Sequence, residues 1–165
     1  MVNHSTKHVH APVEPPAPGL RIDVSRQTLE LTLEGGWQRI YPVSTSKFGL
    51  GPEPGSYKTP LGRFAVAEKV GHNAALGSVF KSRLPTGEIA SEGGDEDLIL
   101  TRILWLDGLE EQNAGTRGRY IYIHGTNQES LIGTPASHGC VRMRNADIAE
   151  LFDLVPEGAT VEILA

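Results

Sequence analysis

Apolar and polar residues alternate strictly from Thr28 to Glu34, with Leu29, Leu31 and Leu33 on one face and Thr28, Glu30, Thr32 and Glu34 on the other. A period of two marks a strand with one face buried. Gly35-Gly36 follows. A glycine pair supplies the positive φ that a tight hairpin turn demands, so Trp37 to Ser44 is expected to return as the partner strand. Arg63 to Val70, Leu98 to Leu106 and Arg119 to Ile123 are short runs rich in β-branched, aromatic or leucine residues, and each reads as a further strand. The period then changes. Ile148, Leu151, Phe152 and Val155 recur at helical spacing and predict a helix over Ala146 to Leu154, with Asn145 as its cap and Pro156 and Gly158 as its stop. Thr160 to Leu164 reads as a last strand, which gives a mainly β domain of the α+β class with one or two short helices.

Two stretches break the pattern. Residues 1–19 carry Pro12, Pro15, Pro16 and Pro18 beside His4, His8 and His10 with no periodicity, and read as a disordered tail ahead of a catalytic domain spanning 20–165. The three tail histidines lack a rigid frame for a metal. The loop GLGPEPGSYKTPLG before Arg63 is long for a plain connection, and its length points to a wall of a functional site.

Composition narrows the function classes. At 165 residues, 39% hydrophobic and 21% charged, the chain has the balance of one ordinary globular domain. Its formal charge of -5 is scattered, and no basic run interleaved with aromatics exists, so nucleic acid is not an expected partner. No apolar run approaches a membrane span, and a monomer is expected. The opening MVNHSTKHVH lacks the basic start, apolar core and cleavage site of a secretory signal. The expectation is a cytoplasmic protein, or a periplasmic one if a leader has been removed from it.

The chemistry concentrates in YIYIHGTNQESLIGTPASHGCVRMRN. Cys140 is the only cysteine, which excludes an internal disulfide, and two histidines precede it, His124 and His138, each followed by a glycine. A thiol of ordinary pKa, roughly 8.5, is mostly protonated at neutral pH and needs an imidazole to take its proton or to stabilise its thiolate. His124 ends a strand, a rigid mount for a base, whereas His138 flanks the sulfur from the same loop. His124 is therefore assigned as the base, with the Gly125 carbonyl free to orient its ring. Gly139 lets backbone N–H groups come close to a reacting carbonyl, and Arg142 and Arg144 suit a substrate carboxylate. His124, His138 and Cys140 would also be a permissible zinc set, yet no second thiol or well-spaced carboxylate completes it.

These residues resemble a known signature. His124-Gly125-Thr126 followed by Ser137-His138-Gly139-Cys140-Val141-Arg142 resembles the motif of the YkuD-type L,D-transpeptidases, and Thr59-Pro60-Leu61-Gly62-Arg63-Phe64 is similar to that family's upstream segment. The resemblance implies a YkuD-like β-sandwich or barrel-like domain. Its implied substrate is a peptidoglycan stem peptide or free muropeptide ending in D-alanine, cut between meso-diaminopimelate and D-alanine through an acyl-enzyme on Cys140. It further implies that His138, Gly139 and Arg142 line the acyl site and that no metal or organic cofactor takes part; Ser137, Thr126 and Arg144, which flank these residues in the sequence, are candidate substrate-binding residues beside them. The acceptor is left open by the motif: an amine gives a 3-3 crosslink or an exchanged peptide, and water gives a tripeptide. The absence of a leader favours water, an L,D-carboxypeptidase of muropeptide recycling. A non-catalytic muropeptide-binding module and a thiol redox sensor are the rivals. A decayed binder would have lost Cys140 or His124, and a sensor would need a resolving thiol.

Other charges and rings have blander readings. Lys81-Ser82-Arg83 and the acidic stretch Glu92 to Asp97 read as solvated surface rather than a pocket for a zwitterion, Trp105 and Tyr122 as core, and His72 as structural.

Overall fold

The computed structural model describes residues 18–165, so nearly all of the proline- and histidine-containing tail lies outside the described residues. The alternating segment forms β2 (Thr28–Thr32), with Leu29 and Leu31 fully buried. It folds back through a single 3₁₀ turn at Glu34–Gly36, in which Gly35 and Gly36 both take φ 84°, onto β3 (Gln38–Ser44). A strand that the sequence pattern did not single out, β1 (Gly19–Asp23), lies antiparallel to β2 and parallel to the last strand, β10 (Thr160–Leu164).

The remaining strands are β4 (Gly62–Val70), β5 (Ser78–Lys81), β6 (Leu84–Ile89), β7 (Ile99–Gly108), β8 (Tyr122–Gly125) and β9 (Val141–Met143). Neighbours run β4-β10-β1-β2-β3-β9-β8-β7, and β7 pairs back onto β4, so eight strands close on themselves and leave no open edge among them. The hairpin β5–β6 stands outside this ring, joined through β5 to the start of β7. Every position of β6 is exposed.

Inward-facing residues such as Ile22, Leu29, Val43, Phe64, Leu106 and Ile123 fill the ring, and the one α-helix, α1 (Asn145–Leu154), adds Ile148, Leu151 and Phe152 to the same core. Truncating a fully buried member such as Leu29 to alanine would cost about 3 kcal/mol. The outer face of four adjacent strands carries alternating charge, since Arg21 sits opposite both Glu30 and Glu162, and Glu162 opposite Arg63. Opposite charges in register favour this strand order over a slipped one. Among the described residues no helix is long and apolar enough to cross a membrane.

Two local expectations need correction. The strand read over Arg119 to Ile123 starts later: Arg117–Arg119 is a 3₁₀ turn ended by Tyr120 in the left-handed region at φ 56°, and β8 begins at Tyr122. Asn145 is the first residue of α1 rather than its cap. Arg144 holds the cap position without a side-chain capping bond, since a guanidinium has no acceptor to offer, and the Asn145 amide is committed across the fold. It donates to the Thr126 carbonyl at 2.8 Å and to Glu129 at 2.9 Å, and its oxygen accepts from the Thr101 hydroxyl at 2.6 Å.

Candidate active site

The parallel pairing of β8 with β9 places His124 opposite Arg142 and Ile123 opposite Val141. Parallel neighbours need a long connection, and the stretch from Thr126 to Cys140 supplies it. Because side chains alternate across a strand, Ile123, Val141 and Met143 enter the main core. Tyr122 and His124 therefore share the other face with Arg142 and, one step before β9, Cys140. On that face Cys140 packs against a small cluster of Phe80, Ile103 and Tyr122, with Trp105 at its margin.

His124 is buried, and its Nδ1 lies 2.5 Å from the Gly125 carbonyl. That contact fixes Nδ1–H as the donor and leaves Nε2 as the basic nitrogen. Burial lowers the pKa of His124, against the pull of Asp97 and the Gly125 carbonyl, so the ring is neutral at pH 7. The Cys140 thiol donates to the Tyr120 carbonyl at 3.4 Å and accepts from the Tyr122 N–H at 3.4 Å. Burial pushes this thiol up to about 12, with Asp97 adding to the rise and the Tyr122 N–H, Arg142 and Arg119 opposing it. The two groups on this face thus rest as a thiol and a neutral imidazole, protonation states that suit general-base activation rather than a stored thiolate.

The glycines and hydroxyls of the motif are occupied in shaping it. Ser137 Oγ donates to the Cys140 carbonyl at 2.6 Å and accepts the Gly139 N–H at 3.2 Å, so that N–H, the sequence's candidate for stabilising an oxyanion, is engaged internally. Gly139 takes φ 122°, a conformation only glycine adopts without strain. Its carbonyl accepts from Thr59 Oγ1 at 3.0 Å, and the same oxygen of Thr59 accepts the Ser46 N–H at 3.0 Å. The upstream Thr-Pro segment therefore buttresses the cysteine loop directly. Thr126 is buried; its hydroxyl accepts the Gln128 N–H at 3.0 Å, a turn contact in the loop beyond His124.

The arginines differ from expectation. Arg142 is 1% exposed and its Nη2 meets Asp97 at 2.8 Å, so the carboxylate it holds is the protein's own. Its Nη1 donates to Gln128 at 3.0 Å. Arg144 is exposed at the start of α1, where its charge acts on Asp147, and neither a hydrogen bond nor an ion pair joins it to the cysteine loop. His138 is half-exposed, hydrogen-bonds Asp97 through Nδ1 at 2.9 Å, and lies 5.7 Å from the Phe48 ring and 5.9 Å from that of Tyr57.

Asp97 is thus a site residue that sequence reasoning assigned to a solvated loop. Burial alone would raise its pKa; His124, Arg142 and His138 outweigh that and hold its carboxyl below the usual carboxylate range. The acidic loop is stitched to the segment after His124. Glu92 accepts the N–H groups of Glu129 and Ser130, and the Asn127 amide donates to the carbonyls of Gly93 and Glu96. Arg119 was also missed. It ties down the Gly- and Pro-rich loop through the carbonyls of Gly51 at 3.2 Å and Lys58 at 2.7 Å, and is close enough to lower the Cys140 pKa. The available signal was the Arg117-Gly118-Arg119 pair of basic residues just ahead of the strand that carries His124.

Comparison with known proteins agrees with this geometry. A family profile describing the L,D-transpeptidase catalytic domain, YkuD, matches residues 18–163. The chain is 33% identical over 153 residues to the candidate L,D-transpeptidase YqjB of Bacillus subtilis, covering 91% of this chain and 74% of that one. It is 28% identical over 144 residues to YkuD of the same organism, covering 87% of this chain and 64% of YkuD. Among solved structures, the L,D-transpeptidase of Xylanimonas cellulosilytica (residues 123-326) superposes with a TM-score of 0.60 at 26% identity, covering 93% of this chain but 63% of that one. The chain therefore spans somewhat under two thirds of YkuD and of that solved domain.

Proposed function

Because the chain belongs to the YkuD family of L,D-transpeptidase catalytic domains, we propose that it is an L,D-carboxypeptidase trimming tetrapeptide muropeptides to tripeptides in the cytoplasm. The observation that carries the chemistry is the neutral, buried His124, tied at Nδ1 to the Gly125 carbonyl on the strand beside Cys140. As Cys140 Sγ bonds to the carbonyl carbon of the L-centre of diaminopimelate, its proton passes to His124 Nε2. When the C–N bond breaks, that proton goes to the departing D-alanine amine. Water then adds to the thioester, giving one proton to His124, which returns it to sulfur as the tripeptide leaves.

The guanidinium groups along the aromatic wall and the Gly- and Pro-rich loop support water as the acceptor. Arg83 and Arg117 stand over the Trp105 ring, and Arg119 lies behind the wall loop. Guanidinium groups favour a carboxylate-rich acyl donor and disfavour a second peptide that must approach as an ammonium. The test is mass spectrometry of products from disaccharide tetrapeptide, alone and with excess amine acceptor, using the wild type, Cys140→Ala and His124→Ala. Tripeptide and free D-alanine from the wild type alone are expected. Dominant crosslinked or amine-exchanged product would make it a transpeptidase, and no product at all would favour a binding module.

A further inference from the structure

The hairpin β5–β6 turns at Ser82 and Arg83, whose φ values of 48° and 64° are both left-handed. Glycine or asparagine is the ordinary choice for such a turn, so an arginine held there is a strained one. Its guanidinium does not wander in solvent. It lies 4.5 Å from the Trp105 ring and 5.3 Å from that of Tyr120, and Nη1 donates to the Tyr122 hydroxyl at 3.1 Å. Two of these three partners also bracket the nucleophile, since the Tyr120 carbonyl and the Tyr122 N–H are the polar contacts of Cys140 Sγ.

No carboxylate of the described residues pairs with Arg83; Glu68, the acid on that side, pairs with Arg117 at 3.6 Å. Of its five N–H donors one is used, which leaves a fork of oriented donors on the side chains of the two residues whose backbone contacts the thiol. A guanidinium held over aromatic rings has less rotamer freedom left to lose, so binding an anion requires little further ordering.

We propose that Arg83 recognises a carboxylate of the peptide bound at Cys140, so that the exposed hairpin sets the requirement for a free acid in the acyl donor. This deepens the carboxypeptidase reading and rests on it. The peptide offers two such groups, the terminal carboxylate of D-alanine and the side-chain carboxylate of diaminopimelate, and amides of each distinguish them.

The experiment reads Trp105 fluorescence in the Cys140→Ala protein carrying Trp37→Phe, which leaves Trp105 as the single tryptophan. Free tetrapeptide, its terminal carboxamide and its side-chain carboxamide are titrated into this protein and into its Arg83→Gln and Arg83→Lys versions, with thermal melting to confirm folding. Arg83→Gln is expected to weaken the free peptide about 10- to 100-fold. One carboxamide is expected to weaken binding by the same factor in the parent, and Arg83→Gln to add nothing to that loss. The other carboxamide should behave like the free acid, and Arg83→Lys should recover only part of the affinity. Equal weakening of all three peptides, no weakening of any, or no binding to the parent would overturn the assignment. Because the thiol is absent, failure of turnover in the wild type counts against the reaction alone. Normal turnover with an unchanged KM in Arg83→Gln counts against Arg83 alone.

Discussion

Asp97 Oδ1 stands 2.8 Å from Nη2 of Arg142, a cation that is 1% exposed and whose Nε has no partner. A buried guanidinium is tolerated only while a carboxylate offsets its desolvation, and breaking such a pair costs about 3 kcal/mol. Asp97→Asn is therefore expected to destabilise the fold by about that amount at pH 7. The pH dependence has a definite sign: the folded-state carboxyl is held below its ordinary value of roughly 3.9, so its contribution is complete above that value and fades as pH falls through the lowered one. Urea unfolding of both proteins should show a gap that is constant from pH 7 to 5 and closes in stronger acid. A gap unchanged into strong acid would mean the loss is steric.

Asp97 also shows where the sequence stops being readable. In Glu92-Gly93-Gly94-Asp95-Glu96-Asp97 nothing separates the one acid that is paired at the site from its solvated neighbours, because its partners Arg142 and His138 come from a distant stretch brought near by β9. The hairpin was hidden for the opposite reason: with all of β6 exposed there is no period of two to see. Thr28 to Thr32 was legible because one face is in the core, and Cys140 with His124 because their chemistry sits in two compact motifs. The Asn145 side chain looked like a cap because its residue type suits one; only the fold reveals the Thr101 and Thr126 groups that claim it.

The neutral resting pair predicts a particular thiol behaviour. With burial pushing Cys140 up to about 12, thiolate absorbance near 240 nm should be missing between pH 6 and 9 when the wild type is compared with Cys140→Ala. Iodoacetamide modification should keep accelerating past pH 9 instead of levelling near the ordinary thiol value of roughly 8.5. Since the His124 pKa is lowered, kcat/KM should decline on the acid side only below roughly pH 6.5, the usual imidazole value. A constant thiolate signal at neutral pH would show a stored ion pair.

Thr59 joins the upstream segment to the cysteine loop through the Gly139 carbonyl and the Ser46 N–H. Thr59→Val keeps the shape and strands two buried backbone groups, an expected loss of about 2 kcal/mol by urea unfolding. Thr59→Ser retains the hydroxyl and should restore most of it. A loss in Thr59→Ser with none in Thr59→Val would assign the role to the methyl group.

Gly125 is held by space rather than by φ. A Cβ there would collide with Asn145 Oδ1 and come within 2.7 Å of the Leu100 carbonyl and 3.2 Å of Thr101 Cβ. Thr101 marks a bulge in β7, since Leu100 sits opposite Gly125 while Ile103 sits opposite His124, and it takes φ 74°, unusual for a β-branched residue. Gly125→Ala must push this strand away, and the carbonyl that orients His124 moves with it. Turnover should fall by about 100-fold or more, in keeping with the sensitivity of positioned groups to shifts on the order of 1 Å. Asn145→Ala removes one obstacle but leaves the Leu100 carbonyl, so the double variant Gly125→Ala/Asn145→Ala should remain as slow as Gly125→Ala. Recovery of turnover in that double variant would instead place the whole constraint on the Asn145 side chain.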